Sequence, residues 1–346
     1  MPLDRPTKKD PDEEEPENFW KGLARDLLVA GIIVTIFLAS IYLYAGVWPP
    51  LVVVESSSMQ HADRDSSLGV IDTGDMVFQQ AAPDRSSIVT YLEGRSTGYT
   101  TYGDYGDVII FRRTGNPTPV IHRAIMFVRI YANGTADVPD LPLLASDWEA
   151  TNSTGTTAIP LYLRSLTIHH MGFDHNLGIT FDFASASLAR FGPRSGYITM
   201  GDHNAYLYCS TDLDPCRNSV PYDTGWVPRQ EDIVGRARGE IPWFGLLKLT
   251  LQPTDSCCPG GWGDPEAPKN SWDSLLVSLI VLFALPFILE YAGHGWTKYV
   301  SPRLPEIRWP WRRKAKVKAS KGDAKKAADG PKQRDKKPPK EGSSGS

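Results

Sequence analysis

The sequence predicts a mostly antiparallel β domain held on a membrane by an N-terminal helix, with a second apolar helix near the C-terminus. Three observations carry that prediction. No charged residue occurs between Asp26 and Glu55. Short runs rich in Val, Ile, Phe and Tyr, separated by Gly, Pro, Asp and Asn, recur between residues 51 and 238. The net charge of -3 over 346 residues conceals a segregation: residues 1–26 carry -3, residues 297–346 carry +11, and residues 27–296 carry -11. A mean hydropathy of -0.29 excludes a polytopic transporter, and 36 aromatic residues exclude a wholly disordered chain.

Residues 1–26 form an acidic tail in which Lys21 and Arg25 precede the first helix. Leu27–Trp48 is a 22-residue apolar run, sufficient where about 20 residues cross a bilayer core. Tyr42, Tyr44 and Trp48 gather at its far end, as interfacial aromatics do. Its length, its acidic leader and the lack of a small-residue cleavage site argue for a retained anchor over a removed signal sequence. Residues 49–252 follow as the β domain. The expected strands are Leu51–Glu55, Met76–Gln79, Asp107–Phe111, Val120–Tyr131, Leu161–Ile168, Gly178–Phe183, Tyr197–Met200 and Ile233–Arg238. Asn133-Gly134 marks a hairpin turn, and Ala184–Arg190 allows one or two helical turns. No βαβ alternation and no long amphipathic helix is expected here. Residues 132–195, rich in Thr, Asn, Gly and Pro, read as an insertion of hairpins and loops.

Residues 253–271 are Pro- and Gly-rich and read as a linker. Ser274–Leu289 is uncharged for 16 residues, about 24 Å of helix. With Trp272 and Trp296 around it, it gives a second span over 272–292; a buried or membrane-surface helix is the alternative. Residues 293–346 are a basic tail of disordered composition. Positive charge marks the cytoplasmic side. Both termini are therefore expected inside a cell membrane, with residues 49–271 outside. The tail either attaches to anionic lipid or is a solvated stop-transfer segment.

All four cysteines, Cys209, Cys216, Cys257 and Cys258, lie in the outer part, where disulfides form. Cys209 and Cys216 would close a small loop, or Cys257 and Cys258 would each take one of them as partner. The spacing is poor for zinc, and neither metal nor cofactor is expected. Asn133-Gly-Thr and Asn152-Ser-Thr are glycosylation sequons on the outer side.

The chemistry-bearing residues come in an ordered series. Val52-Val-Val-Glu-Ser56-Ser-Ser58-Met59-Gln-His61 runs from a strand into three serines. Ser58 is ten residues after Trp48, within about 35 Å of the membrane even when the chain is extended. Then follow Gly74-Asp75-Met-Val, Gly106-Asp107-Val-Ile-Ile-Phe, Ile121-His122-Arg123 and Gly201-Asp202-His203-Asn204. His169, His170 and His175 lie in the insertion without carboxylate or cysteine spacing to make a metal site.

In this order, after an N-terminal anchor, these motifs resemble type I signal peptidases. The His at 122, where bacterial members carry Lys, points to the archaeal and endoplasmic-reticulum branch. Gly235-Arg-Ala-Arg-Gly-Glu-Ile241-Pro242-Trp-Phe-Gly245 is similar to the closing stretch of that family. The resemblance covers roughly residues 25–130 and 195–250. It implies a signal-peptidase-like β fold, with Ser58 as nucleophile, His122 as general base and Asp202 as the aspartate supporting the histidine. The Ser58 amide and the Ser56 hydroxyl would hold the oxyanion, and Met59 would lie near the substrate pocket. The chemistry is coherent, since a serine hydroxyl needs a base to take its proton and a donor pair for the developing charge.

This chain departs from the family at three places. His61 stands where Pro is usual, and His203 stands where Asn is usual. The second acidic residue falls on either Asp212 or Asp214. The resemblance implies a serine endopeptidase that cuts signal peptides from exported preproteins, with the bilayer and the protein translocation channel as surroundings and no nucleic-acid partner. A same-fold peptidase with a dedicated substrate, and a non-catalytic anchored β domain binding an envelope partner, stay open beside it.

Overall fold

A computed structural model describes residues 16–141, 147–209, 216–217 and 225–295. The acidic segment before Pro16, the candidates Asp212 and Asp214, and the basic tail from residue 296 onward lie outside the described residues.

The apolar run becomes helix α1, Pro16–Ala45. It begins eleven residues earlier than the charge gap suggests and stops short of Trp48, because Gly46 takes a left-handed conformation (φ 64°) and Pro49 and Pro50 follow. Trp20–Ala45 is long and apolar enough to cross a membrane, and none of its most apolar stretch is buried against protein.

The chain then forms β1 (Leu51–Val53), β2 (Met76–Gln80), helix α2 (Tyr91–Thr97), the small hairpin β3 (Thr100–Thr101) and β4 (Asp104–Tyr105), β5 (Val108–Arg113), β6 (Asn116–Ile130) and β7 (Ala136–Asp137). Next come β8 (Trp148–Asn152), β9 (Gly155–Thr157), β10 (Ser165–Met171), β11 (Leu177–Asp182) and the short helix α3 (Ala186–Ala189). After them are β12 (Arg194–Met200), α4 (Asp202–Cys209), β13 (Cys216–Arg217), β14 (Ile233–Ile241), α5 (Gly245–Leu251) and α6 (Lys269–Gly295).

Among the described residues the larger sheet runs β1-β2-β14-β5-β6-β12, with β7 added to β6. Every pairing in it is antiparallel. Burial alternates along β2, as a half-covered sheet demands, whereas β5 is buried on both faces over Val108–Phe111. The second sheet runs β13-β11-β10-β8-β9; only its β11–β13 pair is parallel. Four of its strands, β8 to β11, come from the insertion, and β13 joins them from outside it. Leu166, Ile168, Ile179 and Phe181 from it share one buried cluster with Met126, Val128, Ile198 and Met200 of β6 and β12.

The segment expected as a free linker packs instead. Cys257, Cys258 and Ala267 are buried with Leu246, Leu249, Trp272 and Leu275. Their apolar surface gains more from joining α5 and the start of α6 than from solvent. Cys257 is bonded to Cys258, so each of these two takes the other as partner rather than Cys209 or Cys216. No described cysteine is free. Lys269–Gly293 within α6 is the second helix long and apolar enough to cross a membrane.

Candidate functional site

The candidate residues come from the segment after β1, from β6 and from the end of β12. Val54, just past β1, exchanges backbone hydrogen bonds with the Gly74–Asp75 turn. The next residues form a tight turn in which the Gln60 amide donates to Ser57 O. Gln60 then anchors that turn, its Oε1 accepting from the amide and hydroxyl of Thr73 at 3.1 and 2.6 Å. Met59 fixes the other side. It is fully buried with Val54, Ile71, Val77, Val108 and Ile110. Its side chain therefore belongs to the core of the larger sheet.

The turn leaves Ser58 half-buried and Ser57 exposed. Ser56 Oγ lies 3.4 Å from Ser58 Oγ. Among the described residues the Ser58 amide donates no hydrogen bond, so it stays available to an incoming oxygen.

His122 lies within β6, opposite Ile109 of β5. It is buried, with the Phe111 ring edge-on to it. On its other side, the β6–β12 register sets Met200 opposite Arg123. Gly201 follows, and its missing side chain is what allows the approach: a methyl there would run into Ser58 O and would stand 3.1 Å from His122 Nε2. The His203 amide donates to Ser58 O at 3.0 Å, which ties the serine turn to the start of α4. The structure therefore brings Ser58, His122 and Gly201 together.

Asp202 has a different set of partners from the one the sequence suggests. Its carboxylate accepts from Arg123 Nε at 2.8 Å and Nη2 at 2.6 Å, and it lies 3.1 Å from His61 Nε2. These, rather than His122, are the hydrogen-bonding partners of Asp202 among the described residues. The physical reason is Arg123 itself. It is a fully buried guanidinium that needs a counter-charge, and Asp202 sits opposite it at the N-terminus of α4, where negative charge is favoured. Burial pushes the Asp202 carboxyl up, but Arg123 and His61 pull it well below the ordinary carboxylate range. Nη1 of Arg123 also donates to the carbonyls of Thr101, Asp104, Tyr105 and Gly106, so one side chain organises the β3–β4 hairpin. Burial and the charge of Asp202 raise the Asp104 carboxyl, against the pull of Arg123.

His61, the departure from proline, is stacked on Phe173 with centroids 4.2 Å apart and planes 14° apart. Phe173 belongs to the insertion, at the turn joining β10 to β11. His203, the departure from asparagine, pairs through Nε2 with Asp63 Oδ1 at 3.1 Å. His169 faces Glu149 at 3.7 Å and His175 lies against Tyr105, so these two have separate neighbours.

Arg123, Asp63 and Phe173 carry no role in the sequence reading. A signal for Arg123 exists: a cation inside the apolar run Val120–Tyr131 must find a buried anion. Nothing local marks Phe173, which reaches His61 across more than a hundred residues.

Compared with protein-family models the chain matches none, and no curated protein matches it either.

Proposed function

We propose that this chain is a membrane-bound serine endopeptidase of the signal-peptidase kind, with Ser58 as nucleophile and His122 as general base. The observation that carries the reading is the close fit at Gly201, where an added methyl would meet both Ser58 O and His122 Nε2. The neighbouring donors support it. The Ser58 amide, which donates no hydrogen bond among the described residues, and the Ser56 hydroxyl would supply the donors an oxyanion needs.

In the proposed reaction His122 takes the Ser58 proton as the oxygen attacks the scissile carbonyl. The C–N bond then breaks, and His122 returns the proton to the leaving amine. Water completes the cycle by releasing the acyl group from Ser58. Asp202 acts as a positioning residue: clamped by Arg123, it holds the Gly201–Asp202 turn against His122. Asp212 or Asp214 remains the proposed second acidic residue.

The substrate class follows from the anchor. With α1 in a bilayer, the serine turn works near the membrane surface, where the apolar segment of an exported preprotein would lie alongside. Cutting after small residues at the first and third positions before the bond is the corresponding specificity. The proposed location is a cell membrane, with the β domain outside, both termini in the cytoplasm and the translocation channel as neighbour.

Depletion of the protein in its own cells tests this reading. Exported proteins are expected to accumulate with their signal segments attached, as read by N-terminal peptide mass. Unchanged mature N-termini after depletion would overturn it.

The hold of Arg123 and His61 on Asp202 favours a second reading, a non-catalytic anchored β domain that binds an envelope partner. It predicts that depletion leaves every signal segment processed.

A further inference from the structure

The sequons Asn133-Gly134-Thr135 and Asn152-Ser153-Thr154 have no part in the proposed cleavage. They occupy separate turns, the first between β6 and β7 and the second between β8 and β9. The two turns are built alike. Asn133 Oδ1 accepts from the Thr135 amide at 3.2 Å and from its hydroxyl at 2.8 Å. Asn152 Oδ1 accepts from the Thr154 amide at 2.9 Å and from its hydroxyl at 2.7 Å. Each carboxamide oxygen is occupied, and neither Nδ2 donates a hydrogen bond among the described residues. Asn133 is exposed and Asn152 half-exposed.

Both asparagines line one groove of about 590 Å³, shared with Ile159, Leu161 and Tyr162. Those three are 61%, 47% and 57% exposed, an apolar strip beside a polar rim. Such a strip suits an occupant with an apolar face. Tyr162 has two contacts there. Its ring stacks on Tyr131 at 5.3 Å, and its amide donates to Asp137 Oδ1 at 2.9 Å.

We propose that Asn133 and Asn152 both carry N-linked oligosaccharides, and that these sugars cover the Ile159–Tyr162 strip. In the transfer step Nδ2 forms a bond to C1 of a lipid-linked sugar donor. The C1–O bond to the donor phosphate breaks, and the lipid phosphate leaves with the electron pair. Nδ2 gives up one proton to a base of the transferring enzyme, and nothing is oxidised or reduced. Sugars tethered at the two rims have a high effective concentration over the strip between them. Their C–H faces suit Ile159 and Tyr162, while Arg164 and Ser153 offer polar partners in the same groove. The inference rests on the outward placement of the β domain and not on the peptidase reading.

The test uses the full chain purified from its own membranes. Peptide masses are expected to show a sugar increment on both asparagines, and Asn133→Gln and Asn152→Gln each to lose one. Hydroxyl-radical oxidation of Tyr162 is expected to be faster in the double variant than in the modified protein. Bare peptides at either asparagine overturn the double modification. Equal oxidation of Tyr162 in the two proteins overturns the covering. Membrane-impermeant amine labelling of Lys248 and Lys269 in sealed cells separates the causes. Labelled lysines with bare asparagines defeat the modification alone, whereas unlabelled lysines defeat the outward placement with it.

Discussion

A methyl group on Gly201 has no room to occupy, since Ser58 O and His122 Nε2 close on the same point. Gly201→Ala therefore has to push the serine turn away from β6. A displacement of that kind costs about 10²-fold in rate where nucleophile and base must meet, and overpacking costs about 1–3 kcal/mol of stability. The expected outcome is a folded protein, slightly lowered in melting temperature, that cleaves preprotein about a hundredfold more slowly. Asp202→Asn should act differently, through stability. It leaves the buried Arg123 without its anion, a change worth about 3–5 kcal/mol. Because the folded carboxyl is held down, its contribution is present above 3.8, the ordinary value, and is lost as pH falls toward about 2. Melting curves of wild type and Asp202→Asn should differ most at neutral pH and converge in strong acid. Asp75 has the opposite sign. Burial raises its carboxyl to about 8, despite the amide hydrogen bonds from Asp72 and Trp243. The stability it contributes is full below the ordinary value and falls as pH rises toward 8. A protonated-carboxyl infrared band at neutral pH that disappears in Asp75→Asn would verify this, and its absence would refute it.

At the scale of elements, the turn joining β10 to β11 matters because Phe173 clamps His61, and His61 touches Asp202. Phe173→Ala is expected to lose the aromatic contact, about 0.5–1.5 kcal/mol, and to slow cleavage while membrane retention is unchanged. Unaltered turnover would show that the insertion does not support the site. This link was beyond sequence reading, because a stacking contact between residues 61 and 173 leaves no local pattern. The strands were legible where Val, Ile, Phe and Tyr gather between turn residues: β2, β5, β11 and β12 fall on expected runs, and β10 overlaps its run over Ser165–Ile168. The two-residue strands β3, β4, β7 and β13 were not, since two residues carry no period. Helix α2 was missed although its capping box, Thr90 with Glu93, stood in the sequence; seven residues give too few turns for an apolar stripe. The Cys257–Cys258 bond and the packed segment around it were masked by a Pro- and Gly-rich composition that resembles a linker. For the candidate site, Ser58 and His122 were readable as an ordered pair of motifs. The partner of Asp202 was not read, because the weight of a buried arginine beside the histidine was overlooked.

For the whole molecule, the segregation of charge and the two apolar helices point to one arrangement. In the proposed topology the acidic β domain faces outward and the basic sequence after α6 faces inward. Trypsin applied to inside-out vesicles is expected to remove the basic segment and spare the β domain. Digestion of the β domain from that side would reverse the topology. The central claim is cleavage by Ser58, and its most direct measurement uses purified full-length protein in detergent with an exported preprotein as substrate. Wild type is expected to release the mature chain, with its new N-terminus after a small residue. Ser58→Ala should be slower by a factor on the order of 10⁶, or inactive, with an unchanged melting curve. Equal release of the mature chain by both proteins would contradict the account.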